Sequence, residues 1–304
     1  MRAALIAELG SPPRPAELPD APSGVRVVAV AVNPIDISVG NGRFYGGHPP
    51  LPYPPGCEAV GRTEDGALVY LFGDGRGVTK PGFLAERVSV PGELPLRLPD
   101  GVDPALAAGA GIAGVAGWVA AGWKAKVTRG DRVLVLGASG VVGLLAVQAA
   151  KLLGAGKVVA AGRDLGRLER ARELGADEIV ELEGIAGAFG DEGFTLCIDP
   201  LWGEPLAQAL ASAALHARII HVGQSAGPEA PLRAADVRGK ELTIQGHSNF
   251  ALTREDRDRA YLELLDHLVH GRIVLDVETY DLDHVKEAWA RQQAGSGKKI
   301  VVTL

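Results

Sequence analysis

Residues 133–143 read "VLVLGASGVVG", four apolar residues followed by glycines at 137, 140 and 143. A short apolar run that stops at glycine has the pattern of a buried strand entering a tight turn. The next stretch, "LLAVQAAKLLGA" (144–155), is patterned as a helix. In such a strand–turn–helix unit the backbone approaches a pyrophosphate, and the helix start offers unpaired N–H groups and partial positive charge. On this reading Gly137 ends the strand, and Gly140 lies where a Cβ would obstruct the phosphate. Gly143 lies one turn into the helix, where a side chain would hold helix and sheet apart. Ala138, Ser139, Val141 and Val142 complete the loop, with the Ser139 hydroxyl as a further donor. The spacing is G-x-x-G-x-x-G rather than the common G-x-G-x-x-G. Dinucleotide binding is the expectation, and a glycine-rich turn without ligand is the alternative.

Outward from this loop, strand-like and helix-like runs alternate. Strands are expected near 132–136, 157–161, 178–181, 195–199, 217–222 and 241–246, with helices over 141–153, 165–174 and 204–214. Six short apolar strands with interposed helices predict an α/β doubly wound parallel sheet covered on both faces. The first hundred residues are proline-rich and β-like instead. "GVRVVAVAV" (24–32) reads as a strand, 59–72 as a hairpin turning at Asp65-Gly66, and 82–90 as another strand. "DPALAAGAGIAGVAGWVAAGW" (103–123) reads as a closely packed helical segment. Helices are also expected from Thr253 as an N-cap and over 281–294, before a closing strand "KKIVVTL".

The chain of 304 residues carries a formal net charge of −6 and no basic run, which argues against nucleic-acid and anionic-membrane partners. No stretch approaches ~18 uninterrupted apolar residues, and "MRAALIAELGSPPRP" has no long apolar core of a secretory signal. Two cysteines, Cys57 and Cys197, cannot build a disulfide framework. A cytoplasmic protein is the expectation.

"GDRVLVLGASGVVGLLAVQAAKLLGA" (130–155) resembles the medium-chain dehydrogenase/reductase superfamily, and its glycine spacing resembles the quinone oxidoreductase and enoyl reductase branch. The resemblance extends to "VNPIDISVGNG" (32–42), "PPGCEAVG" (54–61), "LERARELGAD" (168–177) and "GKKIVVTL". It implies a GroES-like irregular β-barrel catalytic domain over 1–102, a Rossmann domain over 103–250, and C-terminal elements over 251–304 that return to the catalytic domain. It also implies a homodimer paired through the edge of the cofactor sheet, here "ELTIQG" (241–246).

NAD-preferring sites place an acid after the second strand, on the ribose 2′-OH. Here that strand ends "VVAAGRD": Gly162 stands at the acid's place, Arg163 follows, and Arg167 lies a turn later. A guanidinium grips a phosphate with two parallel hydrogen bonds, so NADP(H) is the expected cofactor. Asp164 is the counter-signal, because a one-residue shift makes it the ribose acid.

The zinc-dependent branch carries a cysteine in the segment matching "VNPID", a histidine in "GHE" and a four-cysteine lobe. This chain has Asn33 at the first place, "GCE" with Cys57 and Glu58 at the second, and no cysteine over 71–88. Catalytic zinc needs about three side-chain ligands, so no metal is expected. In related reductases a tyrosine in the loop after N-x-x-D lies at the nicotinamide. Tyr45 is the first candidate and Tyr53 the second, each with an aromatic packed on the cleft wall as its bland alternative. The resemblance also places Asn33 at the nicotinamide or substrate carbonyl, with Asp36 ordering the loop. Gly223, Ser248 and Asn249 follow later strands on the cofactor side, and Lys299 stands where the family places a basic residue on the pyrophosphate. The expected activity is zinc-free, NADPH-dependent hydride delivery to a quinone or an α,β-unsaturated carbonyl. Carbonyl reduction and a non-catalytic NADPH-binding module are the alternatives.

Overall fold

Six parallel strands run in the order Glu178–Glu181, Lys157–Gly162, Arg132–Val135, Phe194–Asp199, Ala213–His221 and Thr243–Gly246. The chain thus starts in the middle of the sheet, winds to one edge, and returns to wind to the other. That reversal creates a crevice beside the carboxyl end of Arg132–Val135, where open α/β sheets take their ligands. Val133, Leu134, Val158, Val159, Leu196 and Ile198 are fully buried, as expected of strands covered on both faces. Leu134, Val159, Cys197 and Ile219 share one core with Leu206 and Leu210.

The computed structural model describes residues 1–19 and 23–304 and separates into two units. The second unit, Ala113–Val274, holds the parallel sheet. The first, Met1–Ile112 with Leu275–Leu304, holds a seven-stranded mixed sheet and a two-stranded one. In it Val25–Val32 pairs with Glu58–Arg62, with Arg87–Val88 and with the closing strand Lys299–Thr303, all antiparallel. Trp289, Phe83, Tyr53 and Leu71 fill its core. The α/β architecture read from the apolar runs and glycines is therefore the one observed, down to the hairpin turn at Gly66 (φ +84°).

The unit boundaries differ from those expected. Residues 103–112 belong to the first unit, because the helix Pro104–Gly109 packs on the strands Val25–Val32 and Glu58–Arg62. The helix Arg254–Val269 stays with the second unit instead of returning to the first. Its Glu263 accepts the indole N–H of both Trp118 and Trp123, at 3.1 Å each. Leu264 packs so close to Gly114 that a Cβ there would lie 2.7 Å away. Only residues from Leu275 onward return.

Local differences have local causes. Residues 82–90 keep only Arg87–Val88 as strand. A helix, Pro34–Gly40, appears where none was expected, with proline in its first turn and Asp36 accepting the Asn33 N–H at 2.7 Å. Residues 277–281 form a strand ahead of the helix Val285–Ala294. The run Pro104–Lys124 is long and apolar enough to cross a membrane by length and composition. However, 72% of its most apolar window is buried, and its helix is broken at Gly111 (ψ −110°).

Candidate functional site

In the second unit, Gly137 follows the strand Arg132–Val135 with φ +55°, a region that a side chain strains. A Cβ on Gly143 would lie 2.6 Å from both the Gly137 carbonyl oxygen and the Ala138 Cα, so only glycine lets the helix approach the strand end this closely. Gly140 precedes the helix Val141–Leu152 as an extended N-cap with no side chain to cap it. The Val141, Val142 and Gly143 amides occupy the first helical turn, where no preceding helical carbonyl can accept them. Ala138 is buried, while Ser139, Gly140, Val141 and Val142 are half-buried at the sheet's carboxyl edge. The loop therefore fits the pyrophosphate of a dinucleotide: small, close-packed behind, with a line of donors in front.

The neighbouring strand ends at Gly162, and Arg163 follows it, exposed. Arg163, Gly162, Glu181, Leu182 and Glu183 line a groove of about 370 Å³. Asp164 is spent elsewhere: its carboxylate caps the helix Leu165–Glu173, accepting the Arg167 N–H at 3.2 Å. The one-residue shift that would put Asp164 on a ribose is thereby disfavoured. Arg167 is exposed on the first turn of that helix.

In the first unit a set of charged groups is wholly buried. Glu58 accepts the Asn33 Nδ2–H at 2.8 Å, the Tyr70 hydroxyl at 2.7 Å and the Ile112 N–H at 2.7 Å, with Lys299 Nζ 3.6 Å away. Lys299 donates to the Asn33 Oδ1 and to the Val32 carbonyl. A Cβ on Gly111 would collide with the Glu58 carboxylate. Burial pushes Glu58 up and Lys299 down, and their mutual attraction opposes both shifts. The donors around Glu58 favour its ionised form and oppose the effect of burial. Asp36 is pushed up by burial against the Cys57 and Asn33 N–H groups it accepts.

Two of the expected site residues, Lys299 and Asn33, belong to this set. The Lys299 Nζ is buried against Asn33, Glu58 and the Val32 carbonyl. The Asn33 amide nitrogen donates to Glu58 and its oxygen accepts from Lys299. The donor set fails to fit a zinc ion. Zinc needs about three side-chain ligands, whereas Cys57 is the one sulfur beside Glu58. The Glu58 oxygens are occupied, and a cation already stands beside them. Among the described residues no three His, Cys, Asp or Glu side chains converge to hold a metal.

Tyr45 is 90% exposed, its ring 4.4 Å from that of Phe44, apart from the buried set. Tyr53 is buried, its hydroxyl without a partner, and burial followed by Asp36 pushes it up to about 12. The hydroxyl therefore keeps its proton and is a weaker acid than an ordinary tyrosine. A Cβ on Gly223 would lie 2.9 Å from the Pro200 carbonyl oxygen. Ser248 is exposed, and Asn249 is buried with its Oδ1 2.9 Å from His247 Nε2. Sequence reasoning missed Glu181 and Glu183 in the groove, and Asp199, a buried acceptor of the Leu201 and Trp202 N–H groups 3.3 Å from His221 Nδ1. Glu181 ends the apolar run "EIVE" and was open to discovery as a strand-end acid. Asp199 and His221 meet only through strand register.

Residues 141–267 match a family model described as a zinc-binding dehydrogenase. Quinone oxidoreductase from Homo sapiens is 29% identical over 285 residues, covering 90% of this chain and 85% of that protein. Quinone oxidoreductase from Rattus norvegicus is 30% identical over 243 residues, covering 76% of this chain and 73% of that one. The quinone oxidoreductase of Thermus thermophilus, also solved as its complex with NADPH, superposes with a TM-score of 0.84 at 27% identity, covering 100% of both chains.

Proposed function

The chain belongs to the quinone oxidoreductase-like branch of the medium-chain dehydrogenase/reductase superfamily, and on that premise we propose that it is a zinc-independent, NADPH-dependent oxidoreductase acting on a quinone or an α,β-unsaturated carbonyl. The observation that carries the reading is the uncapped helix start at Gly140 behind the Gly137–Gly143 contact. When bound, the nicotinamide supplies a hydride. The Val141, Val142 and Gly143 amides hold the pyrophosphate, and Arg163 holds the 2′-phosphate. The exposed Tyr45 hydroxyl is the proton source, on the loop whose start the buried Asn33–Glu58–Lys299 set fixes. Lys299 serves as an internal cation for Glu58 in place of a metal, so polarisation of the acceptor falls to hydrogen-bond donors. The protein pairs with a second copy through Thr243–Gly246, which lies at the open sheet edge.

The test is NADPH consumption with a panel of quinones, enones and aldehydes, on wild type and Tyr45→Phe. Turnover of conjugated acceptors, reduced in the variant, is the expected result. Turnover of aldehydes alone points to a carbonyl reductase, and NADPH binding with no turnover of any acceptor points to a binding module.

A further inference from the structure

We infer that Glu181 and Glu183 are specificity-determining residues that act against Arg163, so that the groove weakens its own grip on a 2′-phosphate and keeps NADH within reach. The inference rests on the cofactor reading above and deepens it.

The geometry comes from strand pairing. Glu181 is the register partner of Gly162 at the carboxyl end of the parallel sheet. The position that lacks an acid on its own strand therefore has one on the next strand. Glu183 follows two residues later in the 3-10 turn Leu182–Gly184, and both carboxylates line the same groove as Arg163. Among the described residues no ion pair or hydrogen bond engages the side chains of Arg163, Glu181 or Glu183. The nearby acid Asp164 is consumed as a helix cap and Glu178 pairs with Lys157, but these two carboxylates have no such partner.

A groove with one guanidinium and two carboxylates is net negative. A phosphate monoester carries about −1.5 to −2 at neutral pH, so each carboxylate opposes it while the guanidinium attracts it. The ribose hydroxyl of NADH carries no charge and feels little of this opposition. All three side chains are exposed, so the interaction is screened and its size modest. The cofactor ratio is then set by three charges rather than by the arginine alone.

The experiment is fluorescence titration of NADPH and NADH on full-length wild type, Glu181→Gln, Glu183→Gln and the double variant, at low and high salt. Glu64→Gln, an exposed hairpin carboxylate in the other unit, is the control for net charge. The double variant is expected to bind NADPH about three- to tenfold more tightly at low salt, with NADH changed less than about twofold and the gain shrinking at high salt. An unchanged or weaker NADPH affinity overturns the inference. So does an equal gain for both cofactors, or the same gain in Glu64→Gln. Wild-type protein that binds neither cofactor overturns the cofactor reading and this inference together. Wild-type binding with an unmoved ratio in the double variant overturns this inference alone.

Discussion

Lys299 Nζ lies 3.6 Å from Glu58 Oε1, and the two side chains are 2% and 0% exposed. The pair joins the C-terminal strand Lys299–Thr303 to the strand Glu58–Arg62 across Val25–Val32. Breaking a buried pair leaves an uncompensated charge and costs about 3–5 kcal/mol. Lys299→Met is expected to lose stability on that scale in chemical denaturation, and Lys299→Met with Glu58→Gln to lose less than the sum of the two single changes. Additive losses would show that the two groups do not act as a pair.

Arg163 carries the second prediction. A charge-assisted contact is worth about 1.5–3 kcal/mol, which is roughly ten- to a hundredfold in affinity. Arg163→Ala should weaken NADPH by that factor and leave NADH nearly unchanged. Gly162→Asp should favour NADH, since it adds a ribose acceptor and a further repulsive charge. Equal weakening of both cofactors in Arg163→Ala would show that this residue does not read the phosphate.

Asp131 gives a pH dependence. Burial works to raise its carboxyl, but the Thr128 N–H, Arg218 and Thr195 outweigh it and hold it below the ordinary value of 3.8. A depressed folded value means that the folded state holds this proton less tightly than the unfolded chain does. The stability it contributes is present above the ordinary value and is lost as pH falls through the folded one. Asp131→Asn should cost about 1–3 kcal/mol at neutral pH and lose less stability than wild type on acidification. Parallel acid limbs for the two proteins would contradict this.

Much of this fold was legible because its signals are local. Apolar runs marked the six parallel strands, and the glycines at 137 and 143 marked the loop through a backbone conformation and a contact that only glycine permits. What escaped was set by distant partners. Val277–Asp281, "VETYD", is too polar to read as a strand until it pairs with Lys299–Thr303. Lys299 reads as a cofactor-side basic residue, and its burial against Glu58, Asn33 and the Val32 carbonyl comes from the fold. Glu181 becomes part of the groove only through its register with Gly162.

Assembly is tested at the edge strand. Thr243–Gly246 pairs on one side only, with Ala213–His221. Ile244→Pro removes an edge N–H and should yield monomers where wild type yields dimers in light scattering. Wild-type monomers at micromolar concentration would contradict the pairing.

The central claim is hydride delivery from NADPH to a conjugated acceptor without a metal. Its most direct measurement is NADPH consumption with a quinone and an enone, before and after exhaustive dialysis against a chelator, with metal counted by mass spectrometry on the same samples. The account predicts turnover that survives dialysis unchanged, at far less than one zinc per chain. Turnover lost with about one zinc per chain and restored by adding it back would contradict the account.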